Sequence, residues 1–131
     1  MSQENVEIVR TAIDAFNRGD WEATLSATAP EFEFDMSRSI GLQRGVYRLA
    51  EVRQFWSDWV GVFDSVRQDV EEFIEAGDDV VVSSVMHVRG RDGVEAQARA
   101  TWVFTFRDGV VVRASMYQTK LDALEALGLP E

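Results

Sequence analysis

Asp35 is the carboxylate in this sequence that is best placed to act as a general base. It lies in the segment 31–36, where apolar residues such as Phe34 and Met36 alternate with acidic ones. Burial beside those apolar side chains would raise its pKa towards the range that suits proton transfer. The alternation, however, assigns Asp35 to the same face as Glu33, so a β-bulge would be needed to turn it inward.

His87 is the only histidine, and one imidazole cannot build the multi-histidine sites that are typical of zinc or iron. Alternation along its strand places it opposite Met86, which predicts a position outside a pocket or in a subunit interface. A general-base role is the alternative, because histidine titrates near neutrality. Cysteine is absent, and no glycine-rich phosphate loop or Ser-His-Asp arrangement occurs. We therefore expect no metal and no cofactor.

The composition is that of one globular domain spanning residues 1–131. Hydrophobic residues make up 46% and charged residues 27% of the chain. The net charge of −10 would repel phosphate backbones, so no nucleic-acid partner is expected. No apolar run approaches the roughly 18 residues of a membrane helix, and no signal peptide is visible. Together with the lack of cysteine, this suggests a cytoplasmic protein without a membrane partner.

The first half of the chain is predicted to be mainly helical. One helix carries an apolar stripe from Val6 to Phe16 and ends at the segment 17–19. A second runs from Trp21 to about Ala29, capped by Asp20 and stopped by Pro30. After the strand 31–36 come a loop, 37–48, and a third helix, 49–63.

The second half is predicted to consist of four strands, 66–76, 80–89, 94–107 and 110–119, followed by a short helix, 121–127. Valine-rich runs and the Asp108-Gly109 turn are typical of antiparallel hairpins. The order α-α-β-α-β-β-β-β with a C-terminal helix predicts an α+β fold, in which helices cover one side of a bent sheet.

Small residues on one strand indicate a pocket. Ala96, Ala98, Ala100 and Trp102 share a face, and alanine leaves space unless a neighbour fills it. Close helix packing over these alanines is the alternative interpretation. If the space stays open, an aromatic and methionine-rich lining would suit a flat apolar ligand. The predicted lining residues are Ala12, Phe16, Phe34, Met36, Trp56, Trp59, Phe63, Met86, Ala98, Ala100, Trp102, Met116 and Gln118.

Five stretches together resemble one family: AFNRGDWEATLSATAPEFEF, VRQFWSDWVGVF, EEFIEAGDDVVV, VFTFRDGVVVR and DALEALGL. They are similar to the SnoaL-like branch of the superfamily named after nuclear transport factor two and ketosteroid isomerase. The resemblance covers nearly the whole chain. It implies a cone-shaped α+β barrel whose helices and curved sheet enclose a pocket, usually in a homodimer. Members include isomerases, polyketide cyclases, epoxide hydrolases and non-catalytic binding domains, so the fold alone does not determine the activity.

The resemblance also indicates which positions carry catalytic residues in relatives. This sequence has other residue types at those positions. The tyrosine of ketosteroid isomerases falls on Ala12, their base on Met36 beside Asp35, and their protonated acid on Trp102. The Asp–Arg–Asp relay of the epoxide hydrolases has only the poor matches Arg99 and Arg91-Asp92, on a polar strand face and in a turn. Near the chain end, many relatives have an acidic residue just before the tyrosine of the last strand. In this sequence Met116 stands there, before Tyr117.

Three functions remain open. The first is the binding of a small apolar molecule, polycyclic ones included, with Tyr117 and Gln118 supplying polar groups and Tyr47 at the pocket mouth. The second is a cofactor-independent cyclase or isomerase with Asp35 as its base. The third is a non-catalytic dimeric interaction domain.

Overall fold

The computed structural model describes residues 2–39 and 44–130 of the chain. The described part contains four helices and six strands. In chain order these are α1 (Ser2–Asn17), α2 (Trp21–Thr24), β1 (Thr28–Asp35), β2 (Val46–Arg48), α3 (Leu49–Gly61), β3 (Phe63–Ala76), β4 (Asp79–Gly90), β5 (Glu95–Arg107), β6 (Val110–Tyr117) and α4 (Lys120–Ala126).

All six strands belong to one mixed sheet, in the order β2-β1-β6-β5-β4-β3. Neighbouring strands are antiparallel except β1 and β6, which run parallel. The sheet is not closed, since β2 and β3 are its two edges. The predicted α+β class is confirmed, with one more strand than the sequence indicated: β2 lies within the segment 37–48 that was expected to be a loop.

The main core lies between the sheet and the first three helices. Val9 of α1 and Val52 of α3 are fully buried against inward-facing residues such as Val82 and Phe106. A second, smaller cluster lies on the opposite face, where Ala123 of α4 packs with apolar residues from three strands: Val81, Val103 and Tyr117. The first three helices therefore cover one side of the sheet, and the short C-terminal helix α4 covers part of the other. Its contact explains why Val103 interrupts an otherwise polar strand face.

Two predicted helix boundaries are wrong. The second helix ends at Thr24 rather than near Ala29, and Pro30 lies inside β1. The pairing of β1 with β6 shifts register between Thr28 and Glu33, and this irregularity accommodates a proline, which has no N–H to donate. The third helix ends at Gly61, so Phe63 begins β3 instead of closing the helix.

The turn between β5 and β6 follows the prediction. Asp108 and Gly109 have φ values of +52° and +81°, as a two-residue turn of type I′ requires. Within residues 2–39 and 44–130, no helix is long and apolar enough to cross a membrane.

Candidate functional site

A cavity of about 230 Å³ lies between the inner face of the sheet and the helices. Its described lining comprises 25 residues from α1, the α2–β1 segment, α3 and five strands. Eleven residues proposed from the sequence are among them: Ala12, Phe16, Phe34, Met36, Trp56, Trp59, Met86, Ala98, Ala100, Trp102 and Met116. The positions to which the resemblance assigned catalytic groups (Ala12, Met36 and Trp102) all face this space and carry apolar side chains.

Phe63 and Gln118 do not line the cavity, contrary to the prediction. Phe63 packs edge-on against Trp59, with ring centroids 5.3 Å apart, because it starts a strand rather than ending the helix. Gln118 follows the end of β6 and is exposed, where its Nε2 donates to the carbonyl of Arg38 at 2.7 Å.

The cavity is open at one end rather than enclosed. Ala98 lines it and is nevertheless exposed, while Ala96, two residues earlier on the same face, is exposed and not part of the lining. Residues 95–99 are all exposed, so this end of β5 is not covered by the helices. The prediction of a void behind the alanine series therefore applies to Ala98 and Ala100 but not to Ala96.

Aromatic rings form one wall of the cavity. Phe34 stacks on Trp102, with centroids 5.2 Å apart and planes inclined by 22°. Trp56 meets Phe34 edge-on at 5.4 Å and Phe16 at 5.7 Å. These stacked and edge-to-face contacts pack the rings against one another, so the wall is formed by the protein's own side chains.

Four lining residues carry a hydroxyl or amide group: Thr24, Thr28, Gln68 and Ser84. The two threonine hydroxyls donate to backbone carbonyls of Asp20 and Leu25, each at 2.7 Å. Gln68 Nε2 donates to Ser84 Oγ at 3.1 Å across the β3–β4 pair. None of the described lining residues is charged.

Sequence reasoning did not identify Gln68. Its strand pattern is interrupted by a register shift between Val70 and Glu72, which conceals the alternation. The spacing of Val66, Gln68 and Val70 was nevertheless a usable signal, since residues two apart share a strand face.

Asp35 is buried, with 2% of its surface exposed, but it is not among the cavity-lining residues. Its neighbours Phe34 and Met36 both line the cavity, so alternation directs the carboxylate to the opposite face. There it pairs with Arg113 at 2.5 Å and with Arg38 at 3.3 Å. The bulge that could have turned it inward lies earlier in β1.

The pKa of Asp35 is low. Burial, the largest influence, raises it, but hydrogen bonds from the Ser37 hydroxyl and backbone N–H together with the Arg113 charge outweigh burial and lower the pKa to about 2. A carboxylate of this kind is a weak base, because its ionised form is already stabilised. The expected rise in pKa is therefore not found.

The remaining sequence candidates also lie outside the cavity lining. His87 faces away from it, with Nε2 3.1 Å from the carboxylate of Asp69. Tyr47 packs on Phe55 with centroids 4.5 Å apart. The Tyr117 ring lies 4.1 Å below the guanidinium of Arg38.

The arginines considered for an epoxide-hydrolase relay are exposed. Arg99 pairs with Glu71, and Arg91 donates to the carbonyl of Gly61 at 2.6 Å. Within the described residues, no group of three or more histidine, cysteine, aspartate or glutamate side chains could hold a metal ion.

Comparison with known proteins agrees with this architecture. The family model described as a SnoaL-like domain matches residues 9–114. No curated protein matches the chain.

Solved structures provide the remaining comparisons. TerC, co-crystallised with polyporic acid, is 26% identical with a TM-score of 0.79, over 95% of this chain and 98% of that one. A nuclear-transport-factor-two-like protein from Burkholderia pseudomallei is 24% identical with a TM-score of 0.74, over 93% and 95%. A protein from Catenulispora acidiphila with a ketosteroid isomerase-like fold, in complex with trimethylamine, is 14% identical with a TM-score of 0.74, over 95% and 94%. The last two likenesses concern the fold alone.

Proposed function

The chain belongs to the SnoaL-like domain family, and we propose that it binds a small, mainly apolar molecule in the cavity between its sheet and helices. The observation that carries this proposal is the cavity itself. It has a volume of about 230 Å³, and only four of its 25 described lining residues carry a hydroxyl or amide group. Moving apolar surface from water into such a space is favourable by roughly 25 cal/mol per Å².

The volume limits the size of the ligand. A cavity of about 150 Å³ accommodates benzene. The space here, about 230 Å³, corresponds to one or two fused rings. A larger polycyclic molecule would have to extend through the open end beside Ala98. The TerC structure, which holds polyporic acid, supports a cyclic organic ligand by analogy.

A cyclase or isomerase that uses Asp35 as its base is less well supported. The carboxylate faces away from the cavity and is paired with two arginines. A substrate in the cavity would have no path for proton transfer to it, since the sheet lies between them. Binding therefore remains the leading function.

A homodimer is the assembly that we propose, on the basis of the family resemblance. The outer face of β3 to β5 carries exposed polar side chains, among them Arg67, His87 and Arg99, and we propose it as the surface on which a second copy packs. Light scattering should return twice the chain mass of 14.8 kDa, and a monomer mass would contradict the dimer without affecting the cavity.

Two alanines on the same face of β5 allow a matched test of ligand binding. Ala100 lines the cavity and Ala96 does not. Ala100→Leu adds three carbons inside the space, so we expect the affinity for a bound aromatic molecule to fall about tenfold or more, because overpacking opposes entry. Ala96→Leu adds the same atoms in solvent and should leave affinity within about twofold.

The measurement is a calorimetric titration with polyporic acid, steroids and aromatic polyketides, checked by tryptophan fluorescence. A panel without binding to the wild type would contradict the proposal and favour the interaction-domain interpretation. Equal losses in the two variants would also contradict it, because the cavity would then not be the site of binding.

A further inference from the structure

We infer that Gln68 determines ligand specificity, and that its side-chain carbonyl selects ligands which present a hydroxyl or N–H group to it. This inference rests on the proposed binding function. It starts from the one amide side chain among the described lining residues: Gln68 lines the cavity and is buried, with 8% of its surface exposed.

The backbone N–H and carbonyl of Gln68 are hydrogen-bonded to a side chain of α1 rather than to a neighbouring strand. β3 is an edge strand, so backbone groups on its outer side need partners other than a neighbouring strand. Asn17, at the end of α1, supplies one donor and one acceptor. Its Nδ2 donates to the Gln68 carbonyl at 2.9 Å, and its Oδ1 accepts from the Gln68 N–H at 2.8 Å. The side chain therefore projects from a position that α1 and β3 hold together.

A chain of hydrogen bonds orients the Gln68 amide. The Ser84 hydroxyl donates to the carbonyl of Ala100 at 3.4 Å, so its oxygen is available as an acceptor. Gln68 Nε2 donates to that oxygen at 3.1 Å. An amide that donates through Nε2 to Ser84 must direct Oε1 elsewhere. No described residue donates a hydrogen bond to Oε1, and Oε1 is not among the fully buried side-chain atoms without a partner, so it stays accessible where Gln68 lines the cavity.

The side-chain carbonyl of Gln68 gives the cavity a preference for ligands that donate a hydrogen bond. The shape of the cavity alone would not give this preference. An apolar ligand that covers this carbonyl would take it away from water without replacing the hydrogen bond, which is unfavourable, whereas a ligand hydroxyl or N–H would satisfy it. An ether or ketone at the same place would bring two acceptors together. A site built to accept a hydrogen bond rejects analogues that lack the donor more strongly than it rejects changes in apolar size.

Three two-ring probes separate the hydrogen bond from the apolar contribution: 2-naphthol, 2-methoxynaphthalene and naphthalene. 2-Naphthol is the least hydrophobic of the three probes. If it binds more tightly than the other two, apolar burial cannot be the cause. We expect the wild type to bind 2-naphthol about tenfold or more tightly than either of the other two in calorimetric or competition titrations.

Gln68→Met retains the length of the side chain and removes its hydrogen-bonding groups. It should reduce the preference for 2-naphthol to within about twofold while naphthalene affinity is maintained. Gln97→Met, at an exposed position on β5, is the matched control and should keep the wild-type preference. Ser84→Ala frees the amide to rotate, so it should also weaken the preference for 2-naphthol over 2-methoxynaphthalene.

The outcomes distinguish the two proposals. If the wild type binds none of the three probes, both the proposed function and this inference are contradicted. If it binds all three equally, prefers 2-methoxynaphthalene, or keeps its preference in a folded Gln68→Met variant, only the role of Gln68 is overturned. Thermal melts of each variant verify that the fold is retained.

Discussion

Asp35 and Arg113 form an ion pair, 2.5 Å between Oδ2 and Nη2, on the sheet face that points away from the cavity. The parallel pairing of β1 with β6 brings them together, with Asp35 opposite Ser115 in the register. Arg113 also reaches the carboxylate of Glu33 at 2.5 Å. Asp35, the acidic group nearest the position that corresponds to the ketosteroid isomerase base, thus belongs to an ionic cluster that joins two strands.

Asp35→Asn is expected to lower the free energy of unfolding at pH 7 by about 2 kcal/mol. The pKa of about 2 in the folded protein lies below the ordinary 3.8, and each unit of difference corresponds to about 1.4 kcal/mol. This contribution is fully present above the unfolded pKa near 4 and is lost as the pH falls from about 4 to about 2.

Urea denaturation at several pH values measures this effect. The difference between wild type and variant should shrink across that acidic window. Asp64→Asn, at an exposed position on β3, serves as the control and should change stability by less than about 0.5 kcal/mol. A difference that is independent of pH would contradict the role assigned to the ion pair.

The same Asp35→Asn variant should bind cavity ligands as the wild type does, within about twofold. The carboxylate does not line the cavity, and the sheet separates it from any ligand there. Calorimetric titration of both proteins at pH 7 checks this. A large loss of affinity in a folded variant would show that Asp35 has access to the ligand.

Asn17→Ala should destabilise the protein by about 1–3 kcal/mol, because it leaves an N–H and a carbonyl of Gln68 without their partners. Gln54→Ala, which removes an exposed bond to Asp58 on α3, should cost less than about 0.5 kcal/mol. Equilibrium unfolding provides both values. Similar losses in the two variants would mean that the α1–β3 connection contributes little.

Two glycine-to-alanine substitutions should change stability in different directions. Gly109 has φ of +81°, a conformation that alanine adopts only with strain, so Gly109→Ala should cost about 1 kcal/mol. Gly61 ends α3 without a positive φ, and an added Cβ would meet nothing within 4 Å. Gly61→Ala should therefore be neutral or stabilising by up to about 1 kcal/mol. Thermal melts give the comparison, and equal destabilisation would contradict it.

Patterns within short segments of the sequence predicted the strand faces and turns that depend on neighbouring residues. Alternation from Ala98 to Phe104 identified the residues that face the helices, because side chains two apart share a strand face. The Asp108-Gly109 pair predicted its turn, because a type I′ turn needs residues that tolerate positive φ.

The features that the sequence did not predict depend on contacts between residues that are far apart in the chain. Asp35 is held by Arg113, 78 positions later, through a parallel pairing that no local pattern reveals. The strand β2 is three residues long and forms only against β1. Ala96 is exposed because β5 extends beyond the helices, which depends on how elements pack rather than on residue type.

Methyl NMR of the ligand-bound protein tests the central claim most directly. With methionine and alanine methyl groups labelled, 2-naphthol should shift the signals of Met36, Met86, Met116 and Ala100, which line the cavity, and leave that of Ala96 nearly unchanged. Shifts confined to residues outside the cavity, or no shifts at millimolar ligand, would contradict a binding site between the sheet and the helices.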